Sequence, residues 1–217
     1  MKSLLKFSIG NAKLGKDKLL FSLPAGYTCP NAGVCRTYAN KETGTIMDLP
    51  ADLDVPEFRC FAASQEAVYP SVRKSRWHNY ELLRAAAVSD PASCAGMRDL
   101  IAASLDDQPL LPKVRVHVSG DFFSQHYLQA WLQAAAMRPQ QIFYCYTKSL
   151  SYWYQLKDQV PSNFYLTASY GGGLDEMIAQ HPQVFYRYAK VVYTTNEAMA
   201  LGLPLDHDDS HCLSDRP

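Results

Sequence analysis

The sequence predicts an α/β fold in which parallel strands alternate with helices, either as a partial (β/α) barrel or as an open sheet. The main observation is that short β-branched and aromatic runs alternate with helical patterns through the second half of the chain. Strands joined by helices of this length pair in parallel, with right-handed crossovers. A further strand-like run, KLLFSLPA at residues 18–25, precedes a helical region at 66–105, so the alternation begins in the first half.

Each element follows from a local pattern. In residues 66–105, apolar positions such as Trp77 and Leu83 recur at helical spacing, and an Asp-Pro pair divides the region into two helices. Ser124 is a suitable N-cap for the helix that follows the next strand. The remaining elements are the strand 113–123, the helix 124–139, the strand 141–149, the helix 150–162, the strand 163–173, the short helix 174–182 and the strand 184–195.

Length and composition favour one domain over residues 1–217. With 217 residues, of which 47% are hydrophobic, the chain can bury a core without help from metals or disulfides. We expect this domain to carry a cysteine-bearing loop at about 24–65 and a flexible, solvated tail at about 205–217. The formal net charge is zero, which lacks the overall positive charge typical of nucleic-acid-binding proteins.

The expected location is the cytoplasm. No apolar run approaches the length of a membrane span, and the first residues do not form a secretory signal. Thiols in that compartment stay reduced, so the six cysteines are not assigned to disulfides. Metal binding, redox chemistry and simple burial are the remaining interpretations of these cysteines.

Three of the cysteines are candidate metal ligands. Cys29 and Cys35 flank the stretch TCPNAGVC just after the first predicted strand, and Cys60 follows an exposed excursion at residues 43–58. A structural zinc ion normally takes four protein ligands, whereas a catalytic metal keeps one position open. A cluster held by three cysteines likewise leaves one iron atom without a protein ligand. Cys212 is the remaining candidate for a fourth ligand.

Polar residues end several of the predicted strands. The first such group is Ser119-Gly120-Asp121, and the others include Lys148, Thr167 and Ser169. In parallel α/β folds, ligands bind at the carboxyl ends of the strands. Turn and cap residues of these types are also common there, but a series of such ends favours a binding site at this edge.

Four further features leave alternatives open. His117 alternates with Arg115 and Ser119, which predicts a hydrogen-bonded residue on the same strand face. GGG at 171–173 is either a flexible loop or a source of backbone N–H donors for an anion. The basic run VRKSRWHN at 72–79 is either a nucleic-acid contact or a solvated helix face, and DHDDSH at 206–211 is either a cation site or part of the tail.

The motifs together resemble a known family. FSLPAGYTCPNAGVC, RCFAASQE, VRVHVSGDFFSQHYLQAW, FYCYTKSLSYW and LGLPLDHDDSH are similar to phage and mobile-element proteins of the gene-product-88-like type. A more distant resemblance is to radical S-adenosylmethionine (SAM) enzymes, whose partial α/β barrel carries a three-cysteine loop after its first strand. In this chain the third cysteine comes 25 positions after the second, whereas the usual radical SAM pattern is Cys-x3-Cys-x2-Cys.

The second resemblance implies a set of site residues. The cysteines Cys29, Cys35 and Cys60 would hold an iron–sulfur cluster of the 4Fe-4S type. The residues Ser119, Gly120 and Asp121 would stand where that family binds the amino group of SAM. The carboxylate and ribose of SAM would then meet Lys148, Thr167 and Ser169.

Two functions from different classes follow from the sequence. The first is a phage-type protein with a three-cysteine iron–sulfur or other metal site and radical-SAM-like chemistry on an unknown substrate. The second is a non-catalytic phage protein that uses a structural zinc ion and binds a host protein or nucleic acid. The neutral net charge does not indicate nucleic acid, and no membrane partner is expected. Metal identity separates the two.

Overall fold

This computed structural model describes residues 3–11, 15–33, 35, 37–48 and 59–213. In chain order, the strands are β1 (Ser8–Asn11), β2 (Gly15–Ser22), β3 (Thr37–Ala39), β4 (Ile46–Asp48), β5 (Lys113–Ser119), β6 (Ile142–Thr147), β7 (Phe164–Ser169) and β8 (Tyr188–Ala189). The α-helices are α1 (Phe61–Val68), α2 (Pro70–Ser89), α3 (Ala95–Asp106), α4 (Gln125–Ala136), α5 (Leu150–Leu156), α6 (Glu176–Gln180) and α7 (Thr195–Leu201).

The main sheet has six strands in the order β1-β2-β5-β6-β7-β8. Strands β2 and β5 to β8 run parallel, and β1 is antiparallel to β2. The predicted α/β fold with alternating helices is therefore confirmed. Within the described residues β1 and β8 remain edge strands, so the sheet is open and does not close into a barrel. Strands β3 and β4 form a separate hairpin in the cysteine-bearing loop.

The helices that connect adjacent parallel strands are expected on one face of the sheet. Parallel strands that are adjacent in chain order have right-handed crossovers, which place all their helices on the same side. Helix α3 accordingly packs between α2 and α4. The core between the layers centres on Trp131 of α4, whose ring lies 5.2 Å from Phe21 of β2 and 6.4 Å from Phe143 of β6. The predicted N-cap of α4 is confirmed, since Ser124 Oγ accepts from the Tyr127 backbone N–H.

The predicted strand at 184–195 is wrong in length. The strand that forms, β8, contains two residues and pairs with the end of β7, where Ala168 faces Tyr188 and Ser169 faces Ala189. Farther along the chain, residues 195–201 are already helical, with Thr194 as their N-cap. Thr194 and Thr195, at the end of the predicted strand, instead form the N-cap and the first residue of helix α7.

A bulge in β5 changes the orientation of His117. Leu20 pairs with Arg115 and Ser22 with Ser119, so β5 holds additional residues here, and the backbone of His117 adopts a left-handed φ of 65°. The ring consequently packs in the core, 4.6 Å from the ring of Phe122, and Nε2 lies 3.0 Å from Tyr127 Oη. The expectation that His117 shares one strand face with its alternating neighbours is wrong because the bulge breaks the alternation.

The described part of the predicted tail packs against the sheet. Asp209 forms an ion pair with Arg115 at 2.5 Å, and Tyr146 Oη donates to Asp206 at 2.6 Å. Cys212 is fully buried, with its Sγ 3.3 Å from Thr167 Oγ1. Residues 206–213, which we call the C-terminal segment, therefore use their carboxylates on partners in β5 and β6, whereas the sequence favoured a solvated tail. Residues 214–217 lie outside the described residues.

None of the helices in the described residues is both long enough and apolar enough to cross a lipid bilayer.

The buried imidazole predicts a pH-dependent stability. Burial lowers the pKa of His117 from its ordinary 6.5 to about 3. In the unfolded chain this imidazole binds a proton as the pH falls below its ordinary pKa, whereas in the folded chain it stays neutral. Its contribution to stability is thus fully present above the ordinary pKa and is lost as the pH falls. We expect the free energy of unfolding to drop by about 2 kcal/mol between pH 7 and pH 5 on account of this residue.

The unaltered chain is compared with the variant His117→Asn, because asparagine also tolerates a left-handed backbone conformation. Urea denaturation of both proteins across this pH range would show a shallower slope in the variant. If the free energy of unfolding depended equally on pH in both proteins, the role given to His117 would be contradicted, because the two proteins share every other titrating group.

Candidate functional site

The cysteine loop and the ends of the parallel strands meet at one cavity. Its volume is about 140 Å³. The sheet topology explains the meeting, because β2, β5, β6 and β7 all end at the same edge. Of the residues predicted for the site, the cavity is lined by Cys29, Cys35, Cys60, Ser119, Gly120, Asp121, Lys148 and Ser169.

Burial favours the thiol form of two of the predicted ligands. Burial raises the pKa of Cys29 far above its ordinary value, and the nearby carboxylate of Asp121 adds to this rise. Burial also raises the pKa of Cys35. A bound cation would replace these protons, because it stabilises thiolates. Within the described residues, no group of three or more His, Cys, Asp or Glu side chains lies close enough together to hold a metal ion. Residues 34 and 36 of this loop lie outside the described part.

Internal hydrogen bonds define the cysteine loop. Thr28 Oγ1 donates to the carbonyl of Pro24 at 2.7 Å, and the Cys29 backbone N–H donates to Gly26 at 3.2 Å. The N–H of Ala32 in turn donates to the carbonyl of Cys29 at 3.2 Å. Successive turns therefore hold the first cysteine at the end of β2, where the predicted strand stops.

The GGG loop supports the cysteine loop from the other side. The N–H groups of Gly171 and Gly172 donate to the two carboxylate oxygens of Asp175 at 2.8 and 2.9 Å. The N–H of Gly173 donates to the carbonyl of Asn31 at 3.0 Å. These donors already have acceptors, so the interpretation of GGG as an anion cradle does not fit this arrangement. The loop instead brings the end of β7 against the cysteine loop.

Asp121 joins the ends of β5 and β6. Its Oδ1 accepts from Thr147 Oγ1 at 2.6 Å and from the Phe122 N–H at 2.7 Å, and its Oδ2 accepts from the Lys148 N–H at 2.8 Å. Burial raises the pKa of Asp121, and these hydrogen bonds oppose the rise. The carboxylate lines the cavity while both of its oxygens hold neighbouring strands in place.

Lys148 places a cation at the cavity. Its Nζ donates to Ser169 Oγ at 2.7 Å, to the Tyr170 carbonyl at 2.6 Å and to the Ser169 carbonyl at 3.3 Å. Within the described residues, these hydrogen-bond acceptors are neutral oxygens and not carboxylates. The positive charge of Lys148 is therefore held in place without being neutralised by a direct ion pair.

Two candidates lie away from the cavity. Thr167 is fully buried, and its hydroxyl contacts Cys212 beneath the C-terminal segment. Cys212 Sγ also lies 3.8 Å from the Cys145 carbonyl. Neither residue is among those that line the cysteine cavity. The structure thus does not bring Cys212 to the three other cysteines as a fourth ligand.

Sequence reasoning missed a buried ion pair behind the site. Glu66 is 0% exposed, and its Oε1 lies 2.9 Å from both the Ala25 backbone N–H and a guanidinium nitrogen of Arg76. Ser119 Oγ is 3.4 Å from the same oxygen. A signal was present, because Glu66 falls on the apolar side of the helix that begins after Cys60.

Contacts with Glu66 also show how two arginines of the basic run at residues 72–79 are used. Arg73 is buried and donates to the carbonyls of Glu66 and Lys41. Arg76 is 5% exposed and is bound to Glu66. Two of the cations in this run are therefore used inside the fold. Neither alternative named for the run, a nucleic-acid contact or a solvated helix face, describes these two residues.

Comparison with known proteins gives the family. The sequence profile described as Gene product 88 matches residues 3–217. This chain belongs to the Gene product 88 family. The resemblance drawn from the sequence is thereby confirmed. No solved structure matches the chain.

Two relatives of this chain come from mycobacteriophages. The Gene 88 protein of Mycobacterium phage L5 is 34% identical over 92 residues, which cover 41% of this chain and 38% of the relative. The Gene 88 protein of Mycobacterium phage D29 has the same identity over the same shares. The match therefore spans well under half the length of each curated relative.

The approach of β5 to the cysteine loop predicts that Gly120 is required. Gly120 has a left-handed φ of 81°, and a Cβ there would lie 2.5 Å from Thr28 Oγ1 and 2.7 Å from Leu23 Cβ. We expect Gly120→Ala to lower the free energy of unfolding by about 3 kcal/mol, from backbone strain and overpacking. Chemical denaturation measures the change.

Gly173→Ala is the matched control. A Cβ at Gly173 would have no neighbour within 4 Å among the described residues. Its effect should stay within about 0.5 kcal/mol. A Gly120→Ala protein as stable as the control would refute the close approach.

Proposed function

We propose that this phage-type protein of the Gene product 88 family holds an iron–sulfur cluster on Cys29, Cys35 and Cys60 and carries out radical-SAM-like chemistry. One observation carries the proposal. The three cysteines line a single cavity at the carboxyl edge of a parallel sheet, together with the Ser-Gly-Asp turn and Lys148. Ligands and catalytic groups of parallel α/β proteins concentrate at this edge.

The donor set fits a cluster with an open iron. Thiolates are the usual protein ligands of iron–sulfur clusters, and a set of three leaves one iron atom for another ligand. Asp121 is the acidic residue among the described cavity-lining residues, and its oxygens already accept hydrogen bonds from both flanking strands. Cys212 is occupied beneath the C-terminal segment. The described residues that line the cavity therefore supply three cysteine ligands and no fourth cysteine.

The polar groups at the cavity fit the charged end of SAM. Lys148, held by Ser169 and the Tyr170 carbonyl, would pair with the carboxylate of the methionine portion. The strand end at Ser119, Gly120 and Asp121 would contact its amino group. We assign Thr167 no cofactor contact, because it is covered by the C-terminal segment.

A cluster held by Cys29, Cys35 and Cys60 would pass one electron from an external one-electron reductant to SAM, whose carbon–sulfur bond would then break to give methionine and a carbon radical. The protein contributes orientation and exclusion of water. The partial burial of Cys29, Cys35 and Cys60 serves the second task.

Metal analysis of protein purified without oxygen tests the proposal. We expect iron and acid-labile sulfide, with a visible absorption band, in the unaltered chain. Because three ligands carry the cluster, Cys29→Ala, Cys35→Ala and Cys60→Ala should each lose most of the iron and sulfide.

Cys94→Ala is the matched control, because Cys94 is a buried thiol at the start of α3 and does not line the cavity. It should retain the iron. Stoichiometric zinc without sulfide would favour the non-catalytic alternative, and absence of any metal would contradict both.

SAM binding tests the second half of the proposal. With the cluster-loaded protein, Lys148→Met should weaken SAM binding on the order of tenfold, because one charge-assisted hydrogen bond is lost. Iron content should not change. Equal affinity in the two proteins would remove Lys148 from the site while leaving the cluster assignment intact.

A further inference from the structure

Strand β7 has a neighbouring strand along only part of its outer edge. One edge of β7 pairs with β6 from Phe164 through Ala168. On the other edge, β8 pairs only with Ala168 and Ser169, at the end of β7. The outer edge from Phe164 to Thr167 therefore has no strand beside it within the described residues. An open strand edge is a template on which another extended chain can pair.

A cavity of about 490 Å³ lies along this open stretch. Three consecutive residues of β7 line it, namely Phe164, Tyr165 and Leu166. Neighbouring side chains of a strand point to opposite faces, so three in a row indicate that the cavity runs along the edge of the strand. The other side is lined by residues of the segment 183–187, which leads into β8. This segment diverges from β7, and we call the space between the two the β7 groove.

Main-chain groups of Leu166 face the β7 groove. The Phe143 N–H of β6 donates to the Asn163 carbonyl at 2.8 Å, so every second residue of β7, counted from Asn163, bonds to β6. The residues between them direct their main-chain groups to the outer edge, where the Ala168 N–H donates to the Arg187 carbonyl at 3.0 Å. Leu166 comes one step earlier in this second series. Within the described residues, its N–H and C=O have no partner on this edge.

The burial of Leu166 makes these missing hydrogen bonds costly. The residue is 3% exposed, so its main-chain groups have little access to bulk solvent. A buried donor or acceptor without a partner is destabilising, and nearly all such groups in folded proteins are paired. A donor and an acceptor side by side on a strand edge match the main chain of a second extended segment. The chemistry of the groove therefore indicates a peptide as its occupant.

The side chains of the groove indicate which peptide fits. On the side of the helices, its wall is apolar and includes Trp153 and Val184, which pack with the main core. On the opposite side of β7 the wall carries the ring of Tyr165, and the guanidinium of Arg187 packs 5.3 Å from this ring. An extended segment presents alternate side chains to two such walls. Every second side chain of the occupant is thus expected to be apolar.

We propose that the β7 groove binds an extended peptide segment of a partner protein, which adds a strand to the sheet along β7. Its main chain accepts from the Leu166 N–H and donates to the Leu166 carbonyl, and its apolar side chains pack at Trp153 and Val184. In this mode of recognition, main-chain hydrogen bonds give affinity and pockets for alternate side chains give specificity. The groove shares no lining residue with the cysteine cavity, so its test can fail while the iron–sulfur proposal stands.

Selection of displayed random heptapeptides on the full chain tests the proposal. The selected peptides should carry apolar residues at every second position. One of them is then synthesised with a single main-chain amide N-methylated at a time, and each affinity is measured by fluorescence polarisation. N-methylation should weaken binding about tenfold at alternate positions only, because every second N–H of an added strand points to β7 and the others point to solvent. An effect without this period of two would contradict strand addition.

Gln183→Trp tests whether the peptide lies in the groove. Gln183 lines the groove and is exposed, so the larger ring should occupy the groove and leave the thermal midpoint unchanged. Peptide affinity should fall by about tenfold or more. Gln180→Trp is the matched control, because Gln180 is exposed three positions earlier and does not line the groove. If the thermal midpoint of Gln183→Trp falls, the N-methylation pattern decides by itself.

Two results would overturn the proposal directly. The first is a selection that yields no binding peptide, and the second is equal peptide affinity in Gln183→Trp and Gln180→Trp. Sedimentation equilibrium of the full chain tests a different occupant, a second copy of this chain. Dimers that Gln183→Trp abolishes and Gln180→Trp retains would assign the groove to that second copy and refute the partner peptide.

Discussion

The buried ion pair between Glu66 and Arg76 is the contact on which the candidate site depends. One carboxylate oxygen accepts from the Ala25 N–H at the start of the cysteine loop and from Arg76, and it lies near the hydroxyl of Ser119 at the end of β5. Removing one member of such a pair typically costs about 3–5 kcal/mol, because the other charge is left buried and unpaired. The pair thus fixes α1, α2, the loop and the strand end relative to one another.

Chain-ordered parallel strands explain why the site residues meet. Each of β5, β6 and β7 ends at the same edge, and Asp121 ties the first two ends through the Thr147 hydroxyl and the Lys148 N–H. The ammonium group of Lys148 then reaches across to Ser169 at the end of β7. Three strand ends are therefore linked by one carboxylate and one lysine, without a contribution from the helices.

The sequence predicts the fold and most of the cavity lining because both follow from local patterns and from strand ends. It does not predict the bulge at His117, which depends on how β5 pairs with β2. Thr167 shares a strand face with Ser169, but it lies two positions before the strand end, and Cys212 covers it. Arg76 belongs to a run that looks solvated, and only its partner on another helix places it inside. These features are non-local, so no spacing within one segment reveals them.

The neutral net charge conceals a consistent local arrangement. Carboxylates near the cysteine cavity are occupied within the fold: Asp121 accepts from strand ends, and Glu66 pairs with Arg76. Lys148 at the cysteine cavity differs from them, because it is held by neutral oxygens and forms no direct ion pair among the described residues. Charges that are already paired contribute little field at a distance, whereas an unpaired cation in a recess attracts anions. A chain with equal numbers of acidic and basic residues can in this way present an unpaired cation at a recess. Lys148 therefore favours an anionic group at its own end of the cysteine cavity.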